Sequence, residues 1–133
     1  MDAALQELIR QRAKFRCEYC LLPEALVSTP FQFDHIIAQF HDGPTVAENL
    51  AYACFHCNSF KGPNVAGVDP VTNDIVRLFH PRRDARGEHL QWHNELIVGL
   101  TPVGRATVRV LRLNHPLRLV IRRSLLAEGI RFA

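Results

Sequence analysis

ACFHCNSFKG, residues 53–62, sets two cysteines three positions apart at the mouth of a short helical run that Gly62 and Pro63 bring to a stop. The same spacing occurs upstream in RCEYC, residues 16–20, with 33 residues between Cys20 and Cys54. Two residues between cysteines let both thiolates reach one tetrahedral ion at about 2.3 Å, and two such pairs complete its shell. Cys17, Cys20, Cys54 and Cys57 are therefore expected to hold a structural Zn2+; the duller alternative is four buried or redox-active thiols. A zinc ion saturated by four thiolates organises the chain and has no open position for a water.

Around these pairs the periodicity alternates between helix and strand. Residues 4–15 carry Leu5, Leu8, Ile9 and Ala13 at helical spacing and lead into the first pair. FQFDHII, residues 31–37, reads as a strand, HDGPT after it as a turn or wide loop, and LAYAC as a second strand. Residues 62–74, rich in Gly, Pro, Asn and Asp, read as a loop; IVRLFHP, HLQWH and ELIVGL read as three further strands. Thr101-Pro102 opens a helix and Asn114-His115-Pro116 a last one, closed near Gly129. The expected architecture is a single α+β domain over residues 1–133, with a core motif at 17–62 and a basic C-terminal extension at 75–133.

Within the apolar run FDHIIA, residues 33–38, an acid and a histidine stand side by side, and further polar interruptions follow at Asn49 and Asn58. Taken singly each has a bland reading: His35 as a core histidine with a satisfied hydrogen bond, Asp34 as a turn cap, the asparagines as helix caps. Taken in order, Cys17-x-x-Cys20, Asp34-His35-Ile36-Ile37, Glu48-Asn49-Leu50 and Ala53-Cys54-x-x-Cys57-Asn58-x-x-Lys61-Gly62 resemble the HNH endonuclease family in its zinc-supported form. The signature covers about a third of the chain. LFHPR, GLTPVGRATV and LRLN, between Leu78 and Arg123, look like the C-terminal extension of small stand-alone members, a softer match.

The resemblance implies a ββα-metal, treble-clef-like core that hydrolyses DNA phosphodiesters with one divalent ion, Mg2+ or Mn2+. It implies His35 as general base, Asp34 as a ligand of the catalytic ion, and Asn49 as the catalytic-site residue that organises the intervening loop and helps orient the base. Asn58 stands where many members have His, so the chain looks like the HNN variant, with Asn58 as the second ligand. An amide oxygen suits a hard ion better than a transition metal. Histidine, with an unperturbed pKa of about 6.5, is the side chain best placed to take a proton from water near neutral pH. Adjacent strand residues point to opposite faces, so the strand is expected to end or bulge at Asp34 and His35 for both to serve one phosphate. His41 reads as an exposed loop residue, His56 as facing away from the zinc, and the other histidines have no assignment.

The net charge of +3 hides a segregation. Residues 1–76 hold five Lys and Arg against nine Asp and Glu, whereas residues 77–133 hold eleven, all Arg, against four. Arg105, Arg109 and Arg112 recur at i, i+4 and i+7, and Arg118 and Arg122 at i, i+4, making basic stripes suited to nucleic-acid phosphates. Lys61 either joins that contact or decorates the helix end. Val108, Leu111, Leu119, Leu126 and Trp92 read as core. DNA is the expected partner, with the chain acting as monomer or homodimer. No apolar run approaches the ~18 residues of a membrane span, and MDAALQELIRQR lacks the apolar stretch of a signal peptide, so a soluble, cytoplasmic protein without a membrane partner is expected. Two rival classes share part of the pattern: a non-catalytic zinc module that binds nucleic acid, and a redox-sensing CxxC protein.

Overall fold

The computed structural model describes residues 1–132. The chain is α+β and divides into two compact units, Met1–Val65 with His80–Arg83, and Ala66–Phe79 with Asp84–Ala133.

In the first unit, helix α1 (Ala3–Arg12) begins at Asp2, whose carboxylate accepts the Leu5 amide at 2.8 Å and so satisfies one of the orphan donors of the first turn. The helix ends three residues before the expected Phe15. Lys14 and Phe15 both take left-handed φ there, and the Phe15 amide donates back to the Arg10 carbonyl, a C-cap that turns the chain into the first cysteine pair. Strands β1 (Gln32–His35) and β2 (Leu50–Ala53) pair antiparallel, with Asp34 opposite Ala51 and His35 opposite Leu50. Every residue of β2 is buried, and Ile9 of α1 is buried with them. The Arg12 guanidinium adds a 2.7 Å hydrogen bond to the Leu50 carbonyl. Phe31 and Phe33 pack their rings on Tyr52 with centroids 5.1 and 5.5 Å apart. Helix α2 (Phe55–Lys61) follows β2 directly, and Gly62, at positive φ, closes it.

The second unit contains the hairpin β3 (Ala66–Val68) with β4 (Ile75–Arg77), a short helix α3 (Arg86–His89), the hairpin β5 (Leu90–His93) with β6 (Leu96–Gly99), and helices α4 (Pro102–Val110) and α5 (Pro116–Ala127). Thr101 caps α4 through the Gly104 amide, and His115 caps α5 through Leu117. Strand β3 lies inside the segment expected to be loop. Asp69 at the end of β3 ties the 69–74 turn by accepting the Val71 amide and the Thr72 hydroxyl, so the Gly, Pro, Asn and Asp that signal a loop serve a hairpin here. Leu78, Phe79, Leu90, Ile97, Ala106, Leu111 and Leu113 are buried in this unit. Val108, Leu119, Leu126 and Trp92, expected in a core, are half-buried.

No helix among the described residues is long and apolar enough to cross a membrane.

Candidate active site and cysteine cluster

The four cysteine sulfurs lie within 4.8 Å of one another, and all four residues are buried. Cys20 Sγ and Cys54 Sγ are 3.7 Å apart, close to the edge of a tetrahedron whose vertices are about 2.3 Å from its centre. Within each pair the amide of the second cysteine points at the sulfur of the first, Cys20 N to Cys17 Sγ at 3.4 Å and Cys57 N to Cys54 Sγ at 3.5 Å. Those donors favour thiolates. Burial pushes the Cys17 thiol well up from its ordinary range, and the neighbouring sulfurs do the same to Cys57, while the Cys17 hydrogen bond draws Cys54 down. Sulfurs at this spacing suit a cation, which would convert mutual repulsion into ligation. The donor set fits a tetrahedral, thiolate-preferring metal.

Strand β1 ends at His35, where the sequence required a break, and the geometry there is specific. Asp34 (4% exposed) lies inside, with Oδ2 accepting the Tyr19 hydroxyl at 2.6 Å and Oδ1 the Lys61 ammonium at 3.1 Å. Lys61 also donates to the His35 carbonyl at 3.0 Å. Burial raises the Asp34 carboxyl's pKa above its ordinary value, and the ammonium and phenol only partly offset it. A carboxylate has about four acceptor positions, so these two bonds leave room for a further ligand. The His35 ring is half-buried, its Nε2 2.9 Å from Thr45 Oγ1.

Asp34, His35 and Asn58 line one open cleft of about 300 Å³, together with Phe33, Ala38, Gln39, Gly62 and Pro63. The oxygen donors Asp34 and Asn58 on its wall are of the type that holds a hard divalent ion. Asn49 is buried and is not among the residues that line the cleft. Its Oδ1 accepts the Ile37 amide, and its Nδ2 donates to the carbonyls of Ile37 and Pro44, each at 2.9 Å. The side chain thus ties both ends of the loop that follows β1.

Three of the basic residues expected at phosphates bond within the protein. Lys61 is 2% exposed, because the last turn of α2 folds its ammonium over Asp34. Arg105 makes two 2.8 Å bonds to the carboxylate of Asp69, holding that carboxyl well below the usual range. Arg122 is 3% exposed and binds the Glu95 and Leu113 carbonyls and Asn114 Oδ1. The basic stripes are therefore not uniform: Arg109 and Arg112 are exposed, Arg118 is half-buried, and Arg105 and Arg122 hold the second unit together. Tyr19 and Thr45 went unnoticed in the sequence, since neither has a spacing that ties it to Asp34 or His35. The one available signal was a tyrosine placed between the two cysteines of one pair.

Because Lys61 and Asp34 form a buried pair, removing one partner leaves the other charge without compensation. Lys61→Met is expected to destabilise the first unit by about 3 kcal/mol in chemical denaturation. A midpoint unchanged from wild type would show that the pair contributes nothing.

Four converging cysteines beside a hairpin and a short helix, with an acid, a histidine and an amide opening on one cleft, define a cysteine-clustered α+β domain with a polar site. Residues 17–64 match the family model described as HNH endonuclease. Comparison with curated proteins and with solved structures returned no match.

Proposed function

We propose that the chain is a metal-dependent DNA endonuclease. The observation that supports this most is the meeting of Asp34, His35 and Asn58 in one cleft inside the span that matches the HNH endonuclease model. Cys17, Cys20, Cys54 and Cys57 hold a structural Zn2+ in this reading. Asp34 and Asn58 hold a single Mg2+ or Mn2+, which when bound supplies positive charge to the scissile phosphate and to the leaving oxygen. His35 Nε2 stands 2.9 Å from Thr45 Oγ1, and in the tautomer that donates Nε2–H to that hydroxyl the ring keeps a lone pair on Nδ1 to take the proton from the attacking water. Lys61 and Tyr19 fix the orientation of Asp34, and Asn49 fixes the loop on which Thr45 stands. Arg109, Arg112 and Arg118 contact the DNA backbone, each phosphate contact steepening the salt dependence of binding by about 0.9.

The test is supercoiled plasmid incubated with the zinc-loaded protein across a series of divalent ions. Nicked or linear product is expected with Mg2+ or Mn2+, and chelation should stop it. A second reading, a non-catalytic zinc module that binds nucleic acid, draws on the two hydrogen bonds that Asp34 already accepts. Plasmid bound but intact in every ion would favour that module and overturn the nuclease.

A further inference from the structure

The loop between β1 and Asn49 is braced at every step. Besides the three Asn49 hydrogen bonds, the amides of His41 and Gly43 both donate to the Ala38 carbonyl, at 2.8 and 3.0 Å. Asp42 adopts left-handed φ, and a Cβ on Gly43 would stand 1.7 Å from the Ile37 carbonyl oxygen, so the loop closes on itself where only glycine fits. Its far end carries Thr45, which holds the His35 ring. At its apex is Phe40, 84% exposed, the most exposed large apolar residue among those described. Ala38 and Gln39, the two residues before it, line the cleft that contains His35. The Phe40 ring meets the His41 ring edge-on with centroids 5.2 Å apart and is otherwise held in water beside the cleft, where it buries little apolar surface.

Resting on the nuclease reading, we propose that Phe40 stacks on a DNA base next to the phosphate admitted to the cleft. Every base has an apolar face, and an aromatic ring under it contributes about tenfold to a hundredfold in affinity without reading sequence. The bracing then has a purpose: one loop sets the His35 ring at one end and registers the strand with Phe40 at its apex. Phe40 is thus a substrate-positioning residue that acts on binding and leaves the proton transfer to His35.

The test compares Phe40→Leu, which keeps apolar bulk, with Phe40→Tyr, which keeps a stacking ring. Expected is a KM for plasmid nicking raised about tenfold in Phe40→Leu, with kcat little changed and recovery in Phe40→Tyr, while both variants melt and sediment as wild type. In parallel, duplexes carrying 2-aminopurine should change fluorescence on binding wild type and Phe40→Tyr, and not on binding Phe40→Leu. Wild-type KM and an unaltered fluorescence response in Phe40→Leu would overturn stacking while leaving the nuclease standing. A Phe40-dependent fluorescence response from a protein that cuts nothing in any ion would retain the base contact and discard the nuclease. Altered sedimentation of Phe40→Leu without DNA, with wild-type DNA response, would assign the ring to a second copy of the chain and overturn the proposal.

Discussion

Cys54→Ser protein is expected to lack the tertiary structure of the first unit and to carry no stoichiometric zinc. Cys54 does two things at once: its sulfur joins the four-thiol cluster, and it caps α2 by accepting the Cys57 amide. A unit of this size rarely draws more than about 3–5 kcal/mol from its apolar core alone. Structural Zn2+ contributes on the order of 10–16 kcal/mol to small metal-organised folds, so its loss exceeds what the core supplies. Metal analysis should give about one zinc per wild-type chain, and chelation should abolish the cooperative melting of the first unit. The burial that raises Cys17 makes protons compete with the metal, so zinc should be released as pH falls. Cys54→Ser melting like wild type would contradict the structural role.

The second large effect is on chemistry alone. His35→Ala is expected to lower plasmid nicking by about 10²- to 10⁴-fold, the range that a positioned general base supplies. Stability should change little, because the ring is half-buried and its hydrogen bond reaches the hydroxyl of exposed Thr45. The contrast with Cys54→Ser is diagnostic: one protein folds and does not cut, the other does not fold.

Much of the first unit could be read in advance because its signals are local. The paired CxxC spacings, the break at Asp34 and His35, and the Gly62 stop after α2 all belong to stretches of a few residues. The residues that complete the site come from afar. Tyr19 reaches Asp34 across 15 positions and Lys61 across 27, and no periodicity in either segment announces that the last turn of α2 lies over β1. The intramolecular bonds of Arg105 and Arg122 were illegible for a related reason. Helical spacing marks them as members of a stripe, but only packing reveals that buried Asp69 draws one inward and that the Glu95 and Leu113 carbonyls accept from the other. Strand β3 was hidden by the same turn residues that make its hairpin possible. The asparagine at 49 was expected to organise the loop, and its side chain bonds to Ile37 and Pro44 in the structure.

Chemical rescue tests the role of His35 most directly. Zinc-loaded His35→Gly protein should nick plasmid at a small fraction of the wild-type rate, and added imidazole should restore cleavage in proportion to its neutral form. A His35→Gly protein that cuts at the wild-type rate without imidazole would contradict the account.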